Sequence, residues 1–287
     1  MSFKLNTYLS AVLFFAGIAS GFAQDASPKV EPGVSLKLAT YRHAILSDLQ
    51  YTLGFNIPAN KTQAIDATES ITFSLKSADE LLQLDFKQSS ENIKSITVNN
   101  FKTPVSFFDE HLLIDKKYLH TGINKIDLEF IAGNESLNRN DDYLYALFVP
   151  DRARTVFPCF DQPDLKSRFL LTLQVPSGWK VLANGIKKDS VVKGDSTTFH
   201  FANSDKLPTY LFSFTAGKYT YAQQSVGKHT AEFLYRETDP TKIKLSVDSV
   251  FIGHKIGEHF FHPYIIKPLH GYHIAKPHVC GFVRNKV

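Results

Sequence analysis

The 287-residue chain lacks the residues and motifs on which several classes of function depend. It has two cysteines, Cys159 and Cys280, so at most one internal disulfide can form and a disulfide scaffold is excluded. It contains no His-Glu-x-x-His, no Gly-x-Ser-x-Gly, no phosphate-cradling glycine-rich loop and no Cys-x-x-Cys. The usual sequence signals of zinc hydrolases, serine hydrolases, nucleotide-binding proteins and thiol oxidoreductases are therefore missing.

The body of the chain also lacks an excess of positive charge. Residues 24–253 contain 26 Lys and Arg against 27 Asp and Glu. The surplus lies in residues 254–287, where five Lys or Arg accompany one acid, Glu258. A clustered basic surface is the footprint of nucleic-acid binding, so no nucleic-acid partner is expected.

The N-terminus predicts a secretory signal peptide at residues 1–23. Lys4 precedes an apolar run over residues 8–19, and Gly21-Phe22-Ala23 supplies a small-x-small end, which predicts cleavage after Ala23. The run is short for a membrane span, so the mature chain is expected to have none and to be secreted or periplasmic. An uncleaved anchor is the alternative. Residues 24–46 are interpreted as a linker or leader.

The fold class is predicted from strict alternation of apolar residues. Leu49, Tyr51, Leu53, Phe55 and Ile57 fall on one face, which is typical of a half-buried strand. Similar short runs follow at intervals of about 8–12 residues, although Glu69 interrupts the second. We therefore expect a mainly β fold, an antiparallel saddle-like β-sandwich, over residues 47–237.

The pattern changes at Asp239-Pro240, which suits the start of a helix. Apolar residues then recur at helical spacing, and residues 238–261 are predicted to be the only helix of the mature chain and the start of a second domain. Residues 262–287 show neither periodicity and are expected to form an irregular, basic, His- and Pro-rich tail.

The densest stretch of the chain is residues 152–169, here called the signature segment. Two prolines, Pro158 and Pro163, restrict its backbone and predict one rigid, irregular shape between two strands. Its carboxylates, Asp161 and Asp164, could act as an acid–base pair, but structural roles as ion-pair and turn-capping partners are favoured. Cys159 is expected to be a small buried hydrophobe.

The tail offers one alternative site. His270, His273, His278 and Cys280 carry imidazole and thiolate groups that suit zinc. Their spacing matches no compact zinc motif, and no carboxylate stands nearby to orient an imidazole. The other interpretation is an incidental basic tail.

The sequence Pro150–Phe169 closely resembles a signature in the N-terminal β domain of zinc aminopeptidases of the aminopeptidase N type. Val175-Pro176-Ser177-Gly178-Trp179 and Ala183-Asn184-Gly185 follow in the expected order, and the resemblance covers residues 47–261. The residues that carry the structural signature are Arg154, Phe157, Pro158, Cys159, Phe160, Asp161, Pro163 and Lys166.

The resemblance implies a saddle-like N-terminal β domain followed by a thermolysin-like catalytic domain, which together remove N-terminal residues from peptides. That catalytic domain carries Gly-x-Met-Glu-Asn and the zinc-binding His-Glu-x-x-His, and neither is present here; the sole methionine is Met1. We therefore expect a chain truncated before its catalytic domain, with no cofactor of its own and no activity alone. Zinc and peptide substrates would belong to the full-length protein.

The resemblance also implies that two positions before the signature help to hold the substrate ammonium. Family members place a Gln and an acidic or amide residue there, whereas this chain has Leu147 and Val149. Neither side chain can bind an ammonium, so no catalytic, substrate-binding or metal-binding residue carries over. The alternatives are a free-standing β-sandwich interaction module or a metal site in the tail.

Overall fold

The structure is a computed structural model that describes residues 27–226, 229–261 and 285–286. The predicted signal peptide and the tail histidines lie outside the described residues. Within those residues the chain forms, in order, α1 (Leu36–Ile45), β1 (Leu46–Asn56), β2 (Ile65–Leu75), β3 (Leu82–Asp85), β4 (Ile93–Val98), β5 (Phe101–Lys102), β6 (Phe107–Phe108), β7 (His111–Ile114), β8 (Gly122–Ala132), β9 (Leu137–Arg139), β10 (Tyr143–Ala146), β11 (Arg168–Pro176), β12 (Lys180–Ala183), β13 (Lys187–Lys193), β14 (Ser196–Phe201), β15 (Phe214–Gly217), β16 (Thr220–Val226), β17 (His229–Tyr235), α2 (Pro240–Phe261) and β18 (Asn285–Lys286).

Four sheets contain these strands, and the predicted mainly β fold is confirmed. The largest has the order β13-β14-β11-β1-β2-β8-β4-β5. A second sheet has the order β12-β15-β10-β9, and two three-stranded sheets have the orders β3-β7-β6 and β16-β17-β18. All strand pairs are antiparallel except β1 with β11, which run parallel because the long connection between them brings the chain back to the same end.

The main core lies where the eight-stranded sheet meets the β12-β15-β10-β9 and β3-β7-β6 sheets, and aromatic rings fill it. The Phe169 ring of β11 stacks on Phe212 at a centroid distance of 4.2 Å and on Tyr51 of β1 at 5.1 Å. Phe157 of the signature segment meets Phe212 edge-on at 5.9 Å. Each such ring buries about 150–250 Å², so this cluster makes a large contribution to folding.

Helix α1 corrects the prediction that residues 238–261 form the only helix of the mature chain. Ser35 caps it, since the Ser35 side chain accepts a hydrogen bond from the N–H of Leu38 at 3.3 Å. The helix shows no apolar stripe: Leu36 is 83% exposed, whereas Leu38 and the charged Arg42 are buried. Because one of its buried residues is an arginine, the helix lacks the helical spacing of apolar residues by which an amphipathic helix is predicted from sequence.

Helix α2 begins where the sequence predicted. The Asp239 carboxylate accepts a hydrogen bond from the N–H of Thr241 at 2.9 Å, and Pro240 occupies the first turn. Phe251 packs against Phe233 of β17 at a centroid distance of 6.4 Å. Neither this helix nor the other one described is long and apolar enough to cross a membrane.

Candidate functional site

The signature segment connects two sheets and forms a corner of the core. It follows β10 of the four-stranded sheet and leads into β11 of the eight-stranded sheet through one 3-10 turn, Ala153–Thr155. Among its signature residues the buried ones are Arg154, Phe157, Pro158, Cys159, Phe160 and Asp161, and the exposed ones are Pro163 and Lys166. The segment is therefore an internal structural element whose polar groups need partners inside the protein.

Arg154 finds its ionic partners outside the signature segment. Its Nη1 donates to Glu110 Oε2 at 2.9 Å, and its Nη2 lies 3.4 Å from Asp151 Oδ2. Glu110 sits in the turn between β6 and β7 and also lies 3.4 Å from Lys87 Nζ. The expected ion pair with Asp161 or Asp164 is therefore wrong for the Arg154 side chain, because a hairpin distant in sequence supplies its carboxylate. The Asp161 carboxylate instead accepts a hydrogen bond from the backbone N–H of Arg154 at 3.1 Å.

Asp85, at the end of β3, is the carboxylate that holds the signature segment. Its backbone exchanges two hydrogen bonds with Cys159, each at 2.9 Å. Its Oδ2 accepts the N–H of Asp161 at 2.8 Å and Arg42 Nη1 at 2.9 Å, while Arg42 Nη2 donates to Oδ1. His111 Nδ1 lies 2.9 Å from Oδ1. We call Arg42, Asp85, His111 and the Asp161 amide the Asp85 node.

The node is closed to water, and this determines its electrostatics. The side chains of Arg42, Asp85 and His111 are each 0% exposed. Burial alone would raise the pKa of Asp85, but the Arg42 charge and the adjacent His111 ring outweigh burial and lower that pKa to about 2. A buried charge is tolerated only when it is paired and hydrogen-bonded, and Asp85 meets both conditions.

His111 is oriented by backbone carbonyls from the segment before α1. Its Nε2 lies 3.0 Å from the Glu31 oxygen and 3.1 Å from the Gly33 oxygen. Carbonyl oxygens only accept hydrogen bonds, so Nε2 carries a hydrogen and donates to them. The ring thus connects residues 31–33 to Asp85, and its role is structural.

Asp161 occupies a different environment from Asp85. Its two oxygens accept the Thr209 hydroxyl hydrogen and, at 3.1 Å, the N–H of Arg154. Burial, supported by the nearby Asp85 charge, raises the pKa of Asp161 to about 6, although both hydrogen bonds oppose the rise. The neighbouring carboxylates of Asp85 and Asp161 therefore have pKa values shifted in opposite directions.

The raised pKa of Asp161 gives the first testable prediction. Its folded pKa of about 6 exceeds an unfolded value of about 3.9, so the folded protein loses stability as pH rises between these values, by about 1.4 kcal/mol per pH unit. In Asp161→Asn this slope should be absent. Urea unfolding of both proteins between pH 4 and 7 measures it, and identical slopes would contradict the assignment.

The structure does not make an acid–base pair of Asp161 and Asp164. Asp164 lies at the surface, where its Oδ2 is 2.8 Å from His43 Nδ1 and its Oδ1 accepts a hydrogen bond from Gln162 at 2.9 Å. Cys159 is a free, buried cysteine, and burial raises the pKa of its thiol well above the usual range. Asp161 and Cys159 are both inaccessible, which disfavours acid–base and nucleophilic roles.

Glu69 of β2 is a buried acid that the sequence marked only as an interruption of the strand pattern. It is 3% exposed and pairs in register with Leu53 and Leu128. Neither carboxyl oxygen has a hydrogen-bond partner among the residues that the structure describes, and burial raises the pKa of Glu69 well above 4.5. Its charge contributes to the raised pKa of Tyr51, after burial and Cys159.

Leu147 and Val149 lie on the surface beside the signature segment. They are 48% and 53% exposed, and they flank Phe148, whose ring stacks on Phe212 at 6.2 Å. Leu211, which precedes Phe212, is 49% exposed. We call Leu147, Val149 and Leu211 the apolar face; its exposed side chains offer no group that binds an ammonium.

The described residues do not fit the zinc that the sequence resemblance implies for the full-length protein. Three protein ligands are needed for a catalytic zinc site. Among the described residues, no group of three or more His, Cys, Asp or Glu is placed to hold a metal ion. The alternative ligands His270, His273, His278 and Cys280 fall outside them, so the tail site stays a prediction.

Comparisons with known proteins agree with this geometry. Residues 47–211 match the family described as Peptidase M1 N-terminal domain. The chain is 40% identical over 78 residues to a probable M1 family aminopeptidase 2 of Encephalitozoon cuniculi, covering 26% of this chain and 9% of the relative. It is 27% identical over 215 residues to leucine aminopeptidase 2 of Vanderwaltozyma polyspora, covering 68% of this chain and 32% of the relative.

A solved structure shows the same fold. The crystal structure of an M1 zinc metallopeptidase from Deinococcus radiodurans matches with a TM-score of 0.53 and 16% identity, over 66% of this chain and 46% of that one. The chain therefore spans less than half of that structure and about a third or less of the relatives described above.

Proposed function

The chain belongs to the peptidase M1 family, whose N-terminal domain it contains, and we propose that it serves as the N-terminal β domain of a secreted zinc aminopeptidase. The observation that carries this proposal is the match over residues 47–211, which includes the whole signature segment. In the full-length protein, removal of N-terminal residues from peptides would depend on a catalytic domain that binds zinc.

The residues of this chain would contribute structure to that enzyme. Hydrolysis of this type needs a metal-activated water and a base. The 287 residues contain no His-Glu-x-x-His, and the buried Asp85 and Asp161 are committed to internal hydrogen bonds. The signature segment would then maintain the shape of the β domain, with the apolar face at its surface.

The proposal predicts that the purified chain does not hydrolyse aminoacyl substrates. Fluorogenic alanyl, leucyl and arginyl amides, with and without added zinc, should give no turnover above buffer, and zinc should not co-purify stoichiometrically. A full-length M1 aminopeptidase assayed in parallel is the positive control, and cooperative thermal unfolding establishes that the chain is folded. Metal-dependent turnover that persists through purification would refute the proposal.

A second candidate function is a free-standing β-sandwich interaction module. The apolar face supports it, since Leu147, Val149 and Leu211 are each about half exposed. Light scattering after size exclusion distinguishes the candidates. Self-association abolished by Leu147→Ser with Val149→Ser would favour the module, whereas a monomer would leave the aminopeptidase domain as the better account.

A further inference from the structure

Residues 27–45, here called the N-terminal strap, precede the family match and dock onto the Asp85 node. Four of its backbone carbonyls accept hydrogen bonds from side chains of the rest of the protein. Gln83 Nε2 donates to the Pro28 oxygen at 2.7 Å, His111 Nε2 to the Glu31 and Gly33 oxygens, and Gln162 Nε2 to the Ala39 oxygen at 3.0 Å. The body of the protein thus binds the strap as it would bind a peptide, through side-chain donors that face main-chain acceptors.

One strap side chain enters the node, and it is a guanidinium group. Besides its two hydrogen bonds to the Asp85 carboxylate, Arg42 donates to the Gln83 carbonyl oxygen at 2.8 Å. Its guanidinium carbon lies 5.3 Å from the centre of the Phe160 ring. A planar fork of donors matches a carboxylate and a carbonyl, and its face suits an aromatic ring. A lysine ammonium would lack this bidentate geometry.

The same carboxylate joins the strap to the signature segment. Asp85 Oδ2 accepts both Arg42 Nη1 and the N–H of Asp161, so the two donors meet on one atom. Gln162, the next residue, donates to the strap at Ala39. The position of Arg42 therefore directly affects the position of residues 160–162.

We propose that Gln83, Asp85 and Phe160 form a guanidinium-binding site, that the N-terminal strap is its built-in ligand through Arg42, and that occupancy of this site holds the signature segment in place. The inference rests on contacts within the chain and is independent of the proposed enzymatic role. It makes the strap a part of the β domain even though the family match begins at residue 47.

The experiment is chemical rescue of the full-length Arg42→Ala chain. Ethylguanidinium is added at millimolar concentration, ethylammonium serves as the matched cation, and the wild-type chain, whose site is filled, is the control. Ethylguanidinium should raise the Tm of Arg42→Ala, with about a tenfold gain in the folded-to-unfolded ratio at ten times its Kd. Ethylammonium should have little effect, and neither cation should stabilise the wild type.

Hydrogen exchange of single amides provides the second readout. The amide of Asp161 should exchange at least about 100-fold faster in Arg42→Ala than in wild type, and ethylguanidinium should restore its protection. Ile126→Ala, which truncates a buried residue of β8 away from the node, controls for general destabilisation. That variant should show no rescue by ethylguanidinium.

Arg42→Lys keeps the experiment decisive if Arg42→Ala does not fold. It retains the charge but loses the fork, so it should fold with weaker protection at Asp161 than the wild type, and neither cation should stabilise it because its own side chain fills the site. Equal effects of the two cations on Arg42→Ala would overturn the proposal. So would an Asp161 amide that exchanges no faster in an Arg42 variant than in the Ile126→Ala control.

Discussion

Asp85→Leu is expected to lower the free energy of unfolding by about 3–5 kcal/mol, because it leaves Arg42 buried without its carboxylate. The loss should be this large because Arg42 and Asp85 are both 0% exposed and cannot recover water as a partner. The N–H of Asp161 would lose its acceptor as well. Urea unfolding at pH 7, with the signal followed by circular dichroism, measures the change.

The matched control is Asp66→Leu, which removes a surface acid from β2. Asp66 pairs with Lys94 while its side chain is 60% exposed, so its loss should cost no more than about 1 kcal/mol. If the two variants were equally stable, the buried pair would contribute no more to the free energy of unfolding than the exposed pair. The proposed role of the Asp85 node would then be wrong.

The wild-type chain should also show the acid sensitivity of Asp85. Its folded pKa of about 2 lies below an unfolded value of about 3.9, so its stabilising contribution is complete above pH 4 and is lost as pH falls towards 2. This contribution should be missing from Asp85→Leu. The stability of the variant should therefore decline less steeply in that range than the stability of the wild type.

Glu69→Met is expected to stabilise the protein by about 1–3 kcal/mol at pH 7, because it removes a buried polar group that makes no hydrogen bond to the described residues. Glu69 is 3% exposed and its oxygens have no hydrogen-bond partner within the described part of the chain, so the carboxyl must keep its proton or bury a charge. Methionine has a similar length and no such cost. Chemical unfolding of the variant and the wild type at several pH values tests this prediction.

The change in the free energy of unfolding caused by Glu69→Met should depend on pH. Because burial raises the folded pKa above the unfolded one, the destabilisation linked to ionisation of Glu69 is absent below about pH 4 and grows as pH rises towards the folded pKa. The gain from Glu69→Met should therefore be larger at pH 7 than at pH 4. Glu129→Met, on the exposed face of neighbouring β8, should show no such trend. A gain that does not change with pH would contradict the assignment.

Local sequence patterns predicted the parts of the fold that local forces determine. Alternation identified β1, and the Asp239-Pro240 pair placed the start of α2 correctly. Strand β13 escaped prediction because all seven of its residues are exposed, so its sequence carries no alternation. Helix α1 escaped because tertiary contacts of Arg42, rather than an apolar stripe, hold it in place.

The candidate site could be predicted only in part for a related reason. The signature segment is conspicuous in sequence, and its structural role and buried Cys159 were expected from it. Its partners could not be expected, since Arg42 and Asp85 are 43 residues apart and Asp85 and Asp161 are 76 apart. The sequence does not show whether an arginine, histidine or glutamate is buried or exposed, and only the packed structure distinguishes the two cases.

A double-mutant cycle of Arg42→Met and Asp85→Leu tests most directly whether a buried charge node holds the signature segment. Each single variant leaves one buried ion without its partner, whereas the double variant removes both, so the double should be more stable than the sum of the single losses implies. The account predicts a coupling free energy of at least about 2 kcal/mol from unfolding at pH 7. Additive losses, within about 0.5 kcal/mol, would contradict it.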